Sequence, residues 1–82
     1  MLSNEEEMQY LATNLRLAMQ DRKWNQTDLE RASGVPQYTI SRILRCACDP
    51  SISAVSRLAK ALCVKLDNLL AAPPKKKMRS AS

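Results

Sequence analysis

Residues 26–45 read Gln-Thr-Asp-Leu-Glu-Arg-Ala-Ser-Gly-Val-Pro-Gln-Tyr-Thr-Ile-Ser-Arg-Ile-Leu-Arg, and this stretch decides the fold. Ser33-Gly34-Val35-Pro36 separates two short helical patterns. Glycine accepts the left-handed backbone that ends a helix, and proline suits a first helical turn, where its missing N–H would have had no partner. The spacing predicts helices over 26–33 and 36–45. So short a connection leaves no slack for an antiparallel pair, so the two must cross steeply. Leu29, Val35, Ile40 and Ile43 are spaced to bury one face against the rest of the chain. Gln37, Tyr38, Ser41, Arg42 and Arg45 then lie on the outer side of the second helix, which contains no acid.

Helices can be placed outward from this pair. Asn25 is an N-cap for the helix at 26–33, with Trp24 before it positioned as a hydrophobic staple. Met8, Leu11, Ala12, Leu15, Ala18 and Met19 fall on one stripe of a helix over about 5–21. Asn4 and the three glutamates after it suit the unpaired N–H groups at its start. Asp49-Pro50-Ser51 opens a helix over about 52–62 with Ile52, Val55, Leu58, Ala59 and Leu62 on its apolar face. A last turn at about 66–71 holds Leu66, Leu69 and Leu70. Alternating strand patterns are absent, and the expected fold is all-α, a compact bundle of five short helices.

Composition narrows the function classes. The 82 residues allow one small domain, and 45% apolar with 26% charged residues is the balance of a globular chain. Thirteen Lys+Arg against eight Asp+Glu give a net charge of +5, with no histidine. Glu5, Glu6 and Glu7 make the start acidic. Lys75, Lys76, Lys77 and Arg79 make the end basic, behind Pro73-Pro74, which cannot continue a helix. The expected division is a binding domain over 1–70 and a flexible basic tail over 71–82. The absence of histidine excludes Ser-His-Asp triads, Cys-His pairs and histidine-based zinc sites. A single glycine, Gly34, excludes glycine-rich phosphate loops. The acids are dispersed along the helices with no suggested catalytic pair, so an enzyme is not expected, and neither is a cofactor. Cys46, Cys48 and Cys63 supply at most three thiolates, and no metal is assigned to them; they read as reduced thiols. With no long apolar run and an acidic start, the expectation is a cytoplasmic protein without a membrane partner.

A rigid helix presenting Gln, Tyr, Ser and Arg suits the major groove of B-DNA, which admits a helix and displays base-edge donors and acceptors for these side chains. The run from Trp24 to Ile43 resembles the helix-turn-helix of the Cro/C1-type (XRE-like) regulators. Gln26, the turn glycine and Thr39-Ile40-Ser41-Arg42-Ile43 carry the likeness. Asp49-Pro50-Ser51-Ile52 and Leu58 to Leu70 resemble that family's fourth and fifth helices, so the resemblance spans about residues 11–70. It implies a lambda-repressor-like five-helix domain that binds a double-stranded DNA operator in a sequence-specific way and regulates transcription, as a homodimer on two half-sites. Repression is favoured over activation, because occupying an operator needs no further surface.

By position, the resemblance implies that Gln37, Tyr38, Ser41 and Arg42 reach base edges. Gln37 would pair with adenine, Tyr38 touch a thymine methyl or a phosphate, and Arg42 read guanine. Gln26 at the start of the second helix, with Thr39 and Arg45, would hold phosphates; Arg16, Arg22 and Lys23 are further phosphate candidates. Four positions depart from the family pattern. Glu30 replaces a small alanine between the paired helices, so the crossing widens or Glu30 leans out toward a cation. Cys46 and Cys63 replace glycine after the third and fourth helices, so they take left-handed backbone or those helices end differently. Lys65 replaces a capping Ser or Thr.

Two other readings stay open at this point. Such domains also serve as antitoxin-type modules that cover a protein partner. An apolar patch of Leu66, Leu69 and Leu70 with Met1 and Leu2 would then be the interface, or the surface that a second subunit covers. Alternatively the basic tail dominates, and nucleic-acid binding is non-specific.

Overall fold

The computed structural model describes residues 5–72. It contains helices α1 (Glu5–Arg22), α2 (Gln26–Ser33), α3 (Gln37–Leu44), α4 (Ile52–Ala61) and α5 (Leu66–Leu70), and no strand among the described residues. The all-α expectation holds, with helix ends within about a residue or two of those read from the sequence. Asn4, the Met1-Leu2 part of the expected patch and the basic tail from Pro73 onward lie outside the described residues.

Each helix end has a local cause. Asn25 caps α2: its side chain accepts from the Asp28 N–H at 2.8 Å, and the Asp28 carboxylate accepts from the Asn25 N–H at 3.0 Å. This reciprocal pair satisfies two otherwise orphaned donors. Ser51 caps α4 by accepting from the Ala54 N–H at 3.2 Å. Pro36 is the N-cap of α3 rather than its first helical residue. Its extended ψ of 143° starts the helix one position later, and its carbonyl accepts from Thr39 and Ile40. Lys65 takes the N-cap position of α5 and supplies no side-chain hydrogen bond.

Four helices close through a left-handed residue, and only one of these is glycine. Gly34 has φ +80°, and its N–H donates to the Glu30 carbonyl at 2.8 Å. Lys23 (φ 60°), Cys46 (φ 56°) and Cys63 (φ 57°) take the same conformation after α1, α3 and α4. Each is followed by a residue whose N–H reaches back five positions. Trp24 donates to Met19, Ala47 to Arg42 and Val64 to Ala59, at 2.9, 2.8 and 3.0 Å. These bonds complete Schellman turns that satisfy carbonyls the helices leave open. The two departures at Cys46 and Cys63 therefore keep the backbone that glycine would have taken.

The core draws on all five helices. Leu11, Leu15 and Met19 of α1 meet Leu29, Val35, Ile40, Ile43, Val55, Leu58, Leu62 and Leu69, all nearly inaccessible to water. Every buried side chain among the described residues is apolar. Val35 anchors the turn between α2 and α3 from within this core. The Ser33 hydroxyl ties the same turn by donating to Leu29 at 2.7 Å and accepting from the Val35 N–H at 3.1 Å. α3 packs on α1 and α2, α4 on α2 and α5, and α5 on α1.

Two sequence expectations about the surface are corrected. Ile52, assigned to the apolar face of α4, is 44% exposed, because the first turn of α4 projects past the core. Leu69 is 2% exposed, with Leu66 and Leu70 half-buried against the core, so the three do not form an open apolar patch. The cause is a clamp from α1. The Asn14 side-chain amide donates to the carbonyls of Asn68, Leu69 and Ala71 at 3.2, 2.9 and 2.7 Å, and holds α5 down.

Candidate nucleic-acid interface

α3 buries Ile40 and Ile43 and turns the remaining positions outward. Gln37 and Tyr38 are exposed, Tyr38 to 68%, while Ser41 and Arg42 are half-buried one turn further on. The structure therefore brings the four predicted base-contacting residues onto one face. Arg42 is ordered before any ligand arrives. Its Nη1 donates to the Tyr38 hydroxyl at 2.8 Å, its Cζ lies 5.3 Å from the Tyr38 ring centre, and its Nη2 reaches the Ala47 carbonyl at 3.4 Å. A guanidinium braced on two sides loses less side-chain freedom when it later pairs with a partner.

The predicted phosphate-contacting residues are more scattered. Gln26 is half-buried at the start of α2, and Thr39 is half-buried in the first turn of α3. Arg45 is exposed at the end of α3, with its Nε on the Ser41 carbonyl at 3.4 Å. Lys23 is exposed in the turn after α1. Arg16 and Arg22 are already engaged by the fold. Arg16 Nη2 donates to the Leu44 carbonyl at 3.3 Å, and Arg22 Nη2 donates to the Leu62 carbonyl at 2.9 Å. Both place a cation at the C-terminal end of another helix, where the unpaired carbonyls and the helix dipole favour positive charge. Arg22 also lies 5.2 Å from the Trp24 ring centre, a cation–π contact.

Sequence reasoning missed the Ala47 brace and two long-range arginine contacts. Ala47 as a brace for Arg42 carried no signal, because an alanine contributes only its backbone there. The carbonyl contacts of Arg16 and Arg22 join positions 28 and 40 residues apart, which periodicity does not register. Glu30, the departure in α2, is half-buried, and its backbone carbonyl accepts from the Gly34 N–H at 2.8 Å.

A model of the Cro/C1-type helix-turn-helix DNA-binding domain matches residues 14–75. The chain belongs to that family. This Cro/C1-type domain is also similar to the crystal structure of a hypothetical transcription factor, NHTF, from Neisseria. The two share 29% identity over 96% of this chain and 91% of that one, with a TM-score of 0.78. No curated protein sequence matches it. Family and fold together make the chain a DNA-binding domain of the transcription-regulator class, with α2 and α3 as its helix-turn-helix. No helix among the described residues is long and apolar enough to cross a membrane.

Proposed function

We propose that this Cro/C1-type domain is a sequence-specific repressor that lays α3 in the major groove of an operator. The observation that carries this reading is the acid-free outer face of α3, on which the exposed Tyr38 braces a half-buried Arg42. Gln37, Tyr38, Ser41 and Arg42 read base edges, Arg42 pairing with guanine and Gln37 with adenine. Gln26, Thr39 and Arg45 hold phosphates and set register, with Lys23 beside them. Arg16 and Arg22 add phosphate contacts through the guanidinium donors that their helix-end carbonyls leave over. Residues 1–70 form the binding domain and 71–82 a basic tail that adds sequence-independent attraction. Two copies occupy two half-sites in the cytoplasm, and no enzymatic step enters. The supports are the family, the transcription-factor relative and the chemistry of the α3 face.

Amide chemical shifts of labelled protein, followed during titration with duplex DNA, test this docking. The reading requires changes at Gln26 and over 37–45. Changes confined to α4 and α5 would place the working surface elsewhere.

A further inference from the structure

α4, which packs on α2 and α5, contains no acid. Its residues Ser53, Ser56, Arg57 and Lys60 follow the three-and-four spacing that sets side chains in one row along a helix. The row lines an open groove of about 550 Å³. The facing wall comes from the way α4 ends. The left-handed Cys63 turns the chain back, and the Val64 N–H donates to the Ala59 carbonyl at 3.0 Å. Val64 and Leu66, both half-buried, are thereby held against the groove as its apolar side. The polar side is unsatisfied. Arg16, Arg22, Arg42 and Arg45 each donate to a backbone carbonyl. The side chains of Ser53, Ser56, Arg57 and Lys60 have no hydrogen bond or ion pair among the described residues. Arg57 and Lys60 stand one turn apart with no acid lining the groove, so their charges repel until an anion arrives.

We propose that this groove binds a small amphipathic carboxylate, its head group held by Arg57 and Lys60 and its hydrocarbon body laid on Val64 and Leu66. The inference does not rest on the proposed reading of DNA. The planar fork of Arg57 suits the two carboxylate oxygens, Lys60 adds a mobile ammonium, and the two serine hydroxyls donate to the remaining lone pairs. Small-molecule sites occupy about 300–1,000 Å³ and combine apolar lining with a few polar groups, and this groove does both. A bare inorganic anion would leave the apolar side in water. A neutral hydrocarbon would leave two cations without a counter-charge. A second copy placed across a twofold axis would bring the same cationic row to the contact from both sides, which like-charge repulsion opposes.

The test titrates the full chain with octanoate and with phenylacetate, two carboxylates of different shape, and follows amide chemical shifts. Acetate supplies the head group alone, and 1-octanol the body alone. A second protein carries Arg57→Gln/Lys60→Gln; both positions are exposed and bond to nothing in the described fold, so the core is left intact. At least one of the two carboxylates should give saturable shifts over 53–60 and 64–66. Acetate and 1-octanol should bind weaker by about tenfold or more, and the double variant should lose a similar factor for the carboxylate. The proposal is overturned if neither carboxylate saturates these amides, if 1-octanol binds as well, or if the variant binds unchanged. It is also overturned if duplex DNA displaces the carboxylate, which makes the row a phosphate contact, or if the variant sediments as a smaller species, which makes it a subunit interface. Failure of the protein to select an operator would refute the DNA reading and leave the carboxylate titration to decide the groove.

Discussion

The Tyr38 hydroxyl accepts a hydrogen bond from Arg42 Nη1 at 2.8 Å, one helical turn apart on the outer face of α3. The pair joins the most exposed large hydrophobic side chain of the described residues to a guanidinium on the same helix face.

Arg42→Ala should cost about 1–3 kcal/mol of binding and relax preference at a single base pair. Tyr38→Phe keeps the ring and removes the acceptor, so its cost should be smaller, about 0.5–1.5 kcal/mol. Because the residues touch, the double variant Tyr38→Phe/Arg42→Ala should lose less than the two single losses together. Fluorescence anisotropy on the preferred duplex and on singly substituted ones measures all three; strict additivity would show that the pair does not act as a unit.

Arg45 is exposed at the end of the same helix, and the proposed function gives it a phosphate contact. Its replacement by alanine should weaken all duplexes alike and reduce the slope of log affinity against log salt by about one. Titrations at several salt concentrations check this. A changed base preference would instead move Arg45 among the readers.

Asn14 should be a stability determinant out of proportion to its polar, partly exposed character. Asn14→Ala removes the donor for three carbonyls at the end of the chain's described part. The expected loss is about 1–3 kcal/mol, with faster hydrogen exchange in α5 than elsewhere. Urea unfolding and amide exchange measure the two effects; α5 exchanging at the wild-type rate would show that the clamp does not hold it.

These residues also show what could be read without coordinates. Asn25, Gly34 and the apolar spacing of Leu29, Val35, Ile40 and Ile43 marked the helix pair, because caps, turns and one-sided burial act within a few positions. The grouping of Gln37, Tyr38, Ser41 and Arg42 followed from the same periodicity. Pro36 is the N-cap where the sequence predicts the first helical residue, since its fixed φ suits both positions. The spacing puts Ile52 on the apolar face of α4 although it is exposed, because periodicity gives the facing of a residue and not how far the core extends. Asn14, Arg16 and Arg22 were opaque for another reason. Their partners are backbone carbonyls 28 to 57 residues away, and a carbonyl has no letter in the sequence.

The left-handed helix ends give a stability test with opposite signs. Gly34→Ala puts a Cβ at φ +80°, where space is open but the backbone is strained, and should destabilise by about 1–2 kcal/mol. Cys63→Gly relieves the same strain at φ 57° and should stabilise by a few tenths to about 1 kcal/mol after the added freedom of the unfolded chain is counted. Thermal unfolding of both variants checks the signs, and a destabilised Cys63→Gly would mean that its thiol contributes packing which the backbone argument omits.

Whether α3 reads an operator is decided by selecting bound duplexes from a random DNA pool with the wild type and with Gln37→Ala/Arg42→Ala. The wild type should enrich a palindrome with half-sites about one helical turn apart, and the double variant should not. If no sequence is enriched, or the variant enriches the same sequence as the wild type, the outer face of α3 is not what recognises DNA.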